Sequence, residues 1–128
     1  LIHQVTFFPR VEETLTQLHK QEVKIGIITS KNAKSVKFIL ERLDINFTDV
    51  QCPCTQLRGK PAPDHILMAI VKSSEDPINT VFVGDTLADR QAADRAGIDY
   101  LHASWGYGDT TKGSYNLNCI SEVLKYIT

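Results

Sequence analysis

The sequence of 128 residues lacks features that several classes of protein require. It has no apolar stretch near the ~20 residues that a membrane-spanning helix needs, so no membrane partner is predicted. It has no run of Lys or Arg, and its formal net charge is only -1, which argues against binding to nucleic acid or an anionic membrane. With 42% hydrophobic residues, the composition predicts one globular domain over residues 1–128.

Cysteine and methionine are scarce. The three cysteines, Cys52, Cys54 and Cys119, form an odd set without metal-ligand or redox spacing. This pattern favours reduced thiols and a cytoplasmic location over a disulfide scaffold. The chain begins with Leu1 and its single methionine is Met68, so we expect the complete protein to have residues before Leu1.

Apolar runs of strand length alternate with segments of helical period, which predicts a parallel sheet covered by helices. Val23–Thr29, whose core Ile25–Ile28 is apolar on both faces, and Thr80–Gly84 are predicted to be buried strands. The predicted elements are a helix from Pro9 to about Gln21, a strand Val23–Thr29, a helix that begins after Asn32, a strand Asp49–Cys52, a helix from Asp64 to about Lys72, a strand Thr80–Gly84, a helix Leu87–Ala96 that stops at Gly97, a strand Ile98–Ala103 and a terminal helix capped by Ser121.

Polar side chains follow the predicted strands at their carboxyl ends, where open parallel sheets bind ligands. Thr29 and Ser30 supply hydroxyls there, Lys60 in a proline-shaped loop supplies a cation, and Asp85 and Asp89 supply carboxylates. The spacing of the two aspartates can turn both toward one point, where they repel unless a proton or cation lies between them. Mg²⁺ suits such a pair, because it takes oxygen ligands and completes its shell with water and a substrate phosphate.

Each candidate also has a structural interpretation. The two aspartates fit an ordinary helix start, where carboxylates favour the positive end of the helix dipole. Thr29 and Ser30 fit a strand end with a cap, and Lys60 fits a solvated charge. The sequence also offers histidines and loop aromatics without ligand spacing, which we interpret as structural or solvated: His3, His19, His65, His102, Trp105 and Tyr107.

The segments around the candidates resemble motifs of the haloacid dehalogenase (HAD) superfamily, in its phosphoglycolate-phosphatase-like branch. Val23–Lys31 is similar to that family's second motif, Gly59–Asp64 to its third and Val81–Asp89 to its acidic fourth. Trp105–Gly108 is similar to a loop after the last core strand. The resemblance implies a HAD-like, Rossmann-like three-layer α/β/α core with a mainly parallel sheet.

By this resemblance, Thr29 and Ser30 bind the transferring phosphoryl group, Lys60 stabilises it and Asp85 ligates Mg²⁺. Asp89 helps at the metal through water or by holding Lys60. The implied reaction is Mg²⁺-dependent hydrolysis of a small phosphorylated metabolite, a phosphate monoester, through an aspartyl-phosphate.

The chain departs from the family at its first motif, an Asp-x-Asp on the central strand that precedes a helical cap. No two acidic residues of this chain are separated by one position, and Leu1–Phe8 resembles the exit from the cap. We therefore expect the nucleophile strand and cap to be absent and the chain alone to be inactive. The gap between the strands ending at Thr29 and Gly84 is expected to hold Leu1–Phe8, another chain through self-association, or the missing piece.

Two other hypotheses remain. A pseudoenzyme would keep the phosphate and Mg²⁺ pocket as a binding or regulatory module. A different doubly wound protein, such as a receiver domain or a dinucleotide binder, fits less well, because no G-x-G-x-x-G and no acidic cluster before the first strand occur.

Overall fold

Strands and helices alternate along the computed structural model, which describes residues 11–103, 115–117 and 120–125. The predictions on Leu1–Phe8, Trp105–Gly108 and Cys119 lie outside these residues. In chain order the elements are α1 Val11–Lys20, β1 Gly26–Ile28, α2 Ala33–Leu40, β2 Asp49–Gln51, α3 Asp64–Ser73, a 3₁₀ helix Pro77–Asn79, β3 Val81–Gly84, α4 Leu87–Ala96, β4 Asp99–Ala103, β5 Tyr115–Leu117 and a 3₁₀ helix Ile120–Lys125.

The described strands are all parallel and form two sheets, in the orders β1-β2 and β3-β4-β5. Gly26 lies opposite Asp49 in the first sheet, and Val81 lies opposite Asp99 in the second. Among the described residues, β1 and β3 therefore each have one hydrogen-bonded neighbour. Within the described ranges no strand pairing joins the strands that lead to Thr29 and Gly84, and what lies between these strands stays a prediction.

Helices cover both faces of the strands and make a three-layer α/β/α fold. On one face, Ile66 and Ile70 of α3 pack with Tyr100 of β4, and Ile28 of β1 and Phe82 of β3 contact the same cluster. On the other face, a second cluster joins α1, the strands and the C-terminal 3₁₀ helix through Leu18, Leu101, Leu117 and Val123. The first cluster contacts both sheets, and the second contacts the β3-β4-β5 sheet together with Val23 and Ile25, which precede β1.

Local signals explain the boundaries of two helices. The Asn32 side chain accepts a hydrogen bond from the Ser35 N–H at 2.9 Å and caps α2, as its position predicts. α4 begins after Thr86 in a capping box and ends at Gly97, whose φ of 76° is the left-handed conformation that glycine tolerates best. The predicted helix Leu87–Ala96 is therefore confirmed at both ends.

Three details differ from the predictions. β1 covers only Gly26–Ile28 and, like β3, is half-buried rather than buried, since each has one described neighbour. The terminal helix is a 3₁₀ helix, and Ser121 lies inside it instead of capping an α-helix. β5 was not expected from the sequence. No helix of the described ranges is long and apolar enough to cross a membrane.

Candidate active site

The loop that carries Lys60 is anchored to the two helices that flank it. The Asp64 carboxylate, at the start of α3, accepts from the Arg58 backbone N–H at 2.9 Å and from Arg58 Nη2 at 2.7 Å. These hydrogen bonds lower the pKa of Asp64 to about 2. Arg95 of α4 donates from Nη1 to the Pro61 carbonyl at 3.0 Å. Lys60 is thus presented from a loop whose two ends are joined.

Lys60 forms an ion pair with Asp89 beneath this loop. Lys60 Nζ lies 2.6 Å from Asp89 Oδ1, and the side chains are 25% and 5% exposed. Nζ also lies 5.9 Å from the centroid of the Phe82 ring, a cation–π distance. Burial opposes the charge of Asp89, but the Lys60 hydrogen bond and charge, with backbone N–H donors, outweigh burial and lower the Asp89 pKa. Asp89 is therefore held as a carboxylate by its surroundings.

The turn between β3 and α4 uses the other oxygen of Asp89. Oδ2 accepts from the backbone N–H groups of Asp85 at 3.0 Å and Thr86 at 3.1 Å, and Thr86 Oγ1 accepts from the Asp89 N–H. A Cβ on Gly84 would lie 2.5 Å from Asp89 Cβ, so this close approach needs glycine. Lys60 thus engages one oxygen of Asp89 and the turn engages the other.

Thr29 and Ser30 lie directly after β1. The Thr29 N–H donates to the Gln51 carbonyl at 3.1 Å, which continues the pairing with β2. Thr29 Oγ1 accepts from the Lys31 N–H at 3.1 Å, so the hydroxyl proton remains to donate to a ligand. Thr29, Ser30 and Lys60 line one cavity of about 120 Å³, with walls from Ile28, Pro53, Cys54, Leu57, Gly59 and His65.

Mg²⁺ at this site would have to be held by few protein ligands. The described ranges contain no group of three or more His, Cys, Asp or Glu side chains that could hold a metal ion. Mg²⁺, however, binds in phosphoryl-transfer sites through one or two carboxylates plus substrate phosphate and water. Asp85, half-buried where β3 ends, is compatible with that demand. The Asp85 assignment therefore stays a prediction that the donor chemistry allows.

The structure connects all five predicted site residues. Lys60 contacts Asp89, Asp89 contacts the Asp85 backbone, and the cavity brings Lys60 beside Thr29 and Ser30.

Sequence reasoning missed two neighbours of the site, His65 and Tyr100. His65 lines the cavity, and it directly follows the motif that carries Lys60, which was an available signal. The Tyr100 hydroxyl lies 3.5 Å from the Thr86 carbonyl and 3.1 Å from His102 Nδ1. Burial, and then the charges of the two site aspartates, raise the Tyr100 pKa. Tyr100 thus borders the acidic side of the site.

Comparisons with known proteins give relatives for this arrangement. The family model for haloacid dehalogenase-like hydrolases matches residues 1–103. The chain is 31% identical over 108 residues to the pyrophosphatase PpaX of Oceanobacillus iheyensis, a match covering 83% of this chain and 50% of that protein. It is 32% identical over 108 residues to the phosphoglycolate phosphatase of Pseudomonas putida, covering 82% of this chain and 40% of that protein. The chain therefore spans half or less of the length of these curated relatives.

A solved structure shows the same fold. The HAD-superfamily hydrolase, subfamily IA, of Geobacter sulfurreducens has a TM-score of 0.86 to this chain at 22% sequence identity. The likeness covers 99% of this chain and 59% of that one. The architecture is thus shared over nearly the whole sequence.

Proposed function

The chain belongs to the haloacid dehalogenase-like hydrolase family, and from that premise we propose that its complete protein hydrolyses a small phosphate monoester with Mg²⁺. The observation that carries this proposal is the Lys60–Asp89 ion pair beside a cavity lined by Thr29 and Ser30. A fixed cation and hydroxyl donors at the carboxyl ends of parallel strands are what electrostatic positioning of a phosphoryl group requires.

Each residue has a role that follows from its surroundings. Thr29 and Ser30 donate hydrogen bonds to phosphoryl oxygens, and Lys60 offsets their charge. Asp89 fixes the Lys60 ammonium and the β3–α4 turn, and thereby sets where the Asp85 carboxylate lies. Asp85 would hold Mg²⁺, which supplies neutralisation of phosphate charge when bound.

The proposed reaction also needs a carboxylate that attacks the phosphoryl group. The family's Asp-x-Asp pattern does not occur in this sequence, so we expect the 128-residue chain alone to show no turnover. A second candidate is a pseudoenzyme that binds phosphate and Mg²⁺ as a regulatory module, and it requires that the full gene also lack this pattern. Phosphate binding is common to both candidates, and only hydrolysis separates them.

The substrate class and location belong to the same proposal. The relatives are named for phosphoglycolate and pyrophosphate, which supports a small phosphorylated metabolite as substrate. Cys52 and Cys54 are free thiols in the described residues, which supports a cytoplasmic location. Self-association through the gap between β1 and β3 remains a proposal that sedimentation of the chain would check.

A paired assay tests the proposal. Release of phosphate from a generic ester is measured with and without Mg²⁺ for this chain and for the product of the full gene. Activity in the long form alone supports the phosphatase, and activity in neither form supports the pseudoenzyme. Lys60→Met in the long form should abolish most turnover, whereas Lys37→Met, an exposed lysine on α2, should leave it unchanged. Equal activity of both variants would contradict the role of Lys60.

A further inference from the structure

His65 is the buried histidine of the cavity that Thr29, Ser30 and Lys60 line. It lies in the first turn of α3 and is 7% exposed. Its Nδ1 lies 3.0 Å from Gln51 Oε1. Its Nε2 has no hydrogen-bond partner among the described residues, yet it is not one of the fully buried unpaired atoms. One ring nitrogen is therefore engaged by Gln51, and the other, on a side chain that lines the cavity, has no hydrogen-bond partner among the described residues.

Neighbours on β2 fix which nitrogen carries the proton. The Asp49 carboxylate can only accept hydrogen bonds, so the Gln51 amide directs its NH₂ group to Asp49 Oδ2. The Gln51 carbonyl oxygen then faces His65, and Nδ1 must donate to it. Lys72 Nζ lies 3.7 Å from the other Asp49 oxygen. In the neutral ring, the His65 proton is thus held at Nδ1 and Nε2 offers a lone pair.

The composition of the cavity indicates what Nε2 would meet. Its volume of about 120 Å³ suits a small group and is well below the roughly 300 Å³ at which drug-sized sites begin. Ile28, Pro53 and Leu57 give apolar walls, and Thr29, Ser30 and Lys60 are donors. A cavity lined by these donors and by one acceptor nitrogen suits a ligand that carries both a phosphate and a hydrogen-bond donor.

We propose that His65 is a specificity-determining residue, whose Nε2 accepts a hydrogen bond from a hydroxyl on the alcohol part of a phosphate ester. This inference rests on the proposed function, since Thr29, Ser30 and Lys60 must hold the phosphoryl group. His65 thereby selects phosphate monoesters that carry a hydroxyl at this position over esters that carry a carboxylate, because a carboxylate would place acceptor oxygens against an acceptor nitrogen.

Binding to the whole chain tests the inference without turnover. Glycerol phosphate and propyl phosphate differ in hydroxyl groups, and titration calorimetry or ligand-detected NMR gives the ratio of their affinities. One net hydrogen bond predicts a preference for glycerol phosphate of about fivefold to tenfold. In His65→Leu this ratio should fall to about one, while His19→Leu, an exposed histidine on α1, should retain the wild-type ratio. An unchanged ratio in His65→Leu, or tighter binding of phosphoglycolate than of glycerol phosphate, would overturn the inference.

A second measurement begins with the wild-type chain, so its first result does not depend on whether a variant folds. Two-bond ¹H–¹⁵N NMR correlations of the wild-type chain report the tautomer of each histidine, and we expect Nδ1–H for His65. In Gln51→Met the fixed tautomer should be lost and the affinity ratio should fall. Observation of the Nε2–H tautomer in the wild type would contradict the assignment. A titration with inorganic phosphate distinguishes failure of the proposed function from failure of the role of His65. If inorganic phosphate does not bind, the proposed function fails. If it binds but the chain shows no preference for the hydroxylated ester, only the role of His65 fails.

Discussion

At the β3–α4 turn, Asp89 is 3% exposed and accepts hydrogen bonds from two backbone N–H groups while it pairs with Lys60. At the end of β1, Thr29 is half-buried, Ser30 is exposed, and the Thr29 hydroxyl accepts one hydrogen bond from a residue two positions away. We call Gly84–Asp89 with Lys60 the acidic half of the site, and Thr29 with Ser30 the hydroxyl half. The acidic half is therefore held by more side-chain contacts, and is more deeply buried at Asp89, than the hydroxyl half.

The largest expected effect comes from Asp89→Ala in the acidic half. It leaves Lys60 without its partner and removes the acceptor of two backbone donors, so the free energy of unfolding should fall by about 3 kcal/mol. Urea denaturation of the chain measures this change. Asp94→Ala on the exposed face of the same helix is the matched control and should cost less than about 0.5 kcal/mol. Equal losses would show that the acidic half has no special stability.

Gly84→Ala should have the next largest effect. The new Cβ would lie 2.5 Å from Asp89 Cβ, so the turn or the carboxylate must move. Such overpacking is expected to cost about 2 kcal/mol in a urea titration. Gly59→Ala is the control, because nothing lies within 4 Å of a Cβ at that position. A neutral Gly84→Ala would mean that the close approach is easily relaxed.

Acid should weaken the acidic half selectively. The folded-state pKa of Asp89 is lowered, so its contribution to stability is present above the unfolded-state pKa of about 3.9 and is lost as pH falls through the folded value. Unfolding free energies of the wild type and Asp89→Ala should therefore differ at pH 7 and approach each other as pH falls through the lowered folded-state pKa of Asp89. Asp64, whose pKa is about 2, is common to both proteins and does not affect the difference. A constant difference from pH 7 to the acid limit would show that the charge of Asp89 does not stabilise the turn.

The smallest stability effect is expected in the hydroxyl half. Thr29→Val should change the unfolding free energy by less than about 1 kcal/mol, because the hydroxyl accepts one local hydrogen bond. Its effect on ligand binding should be larger, since a hydrogen bond to a charged phosphate accounts for about tenfold in affinity or more. Inorganic phosphate binding, followed by ³¹P NMR, measures it.

Thr55→Val, at an exposed position outside the cavity lining, is the control for this substitution. If Thr29→Val destabilises the fold as strongly as Asp89→Ala, the contrast between the two halves does not hold.

The sequence allowed prediction of features that depend on neighbours along the chain. Leu87–Ala96 was predicted at both ends, because the turn residues before it and Gly97 after it are local signals. β1 was predicted too long and too buried, since burial of a strand depends on what lies on both of its sides. β5 was missed because Tyr115–Leu117 is too short to show a period.

In the candidate site, too, residues within local motifs could be predicted, and residues whose role depends on folded contacts could not. The motif residues Lys60, Asp85 and Asp89 were named from sequence, and the structure brings them into one contact network. His65 was interpreted as structural or solvated, because the histidines show no ligand spacing. Its orientation depends on Gln51, which is 14 positions away in sequence and adjacent only after folding. Spacing along the chain carries no sign of such a contact.

α3 has a consequence for how the molecule opens. Ile66 and Ile70 of this helix pack in the cluster that Ile28 of the first sheet and Phe82 of the second also contact. Separating either sheet would expose the same apolar helix face to water, so opening one sheet by itself is unfavourable in free energy. The two sheets should therefore exchange their backbone amide protons as one cooperative unit, although no backbone hydrogen bond of the described strands joins them.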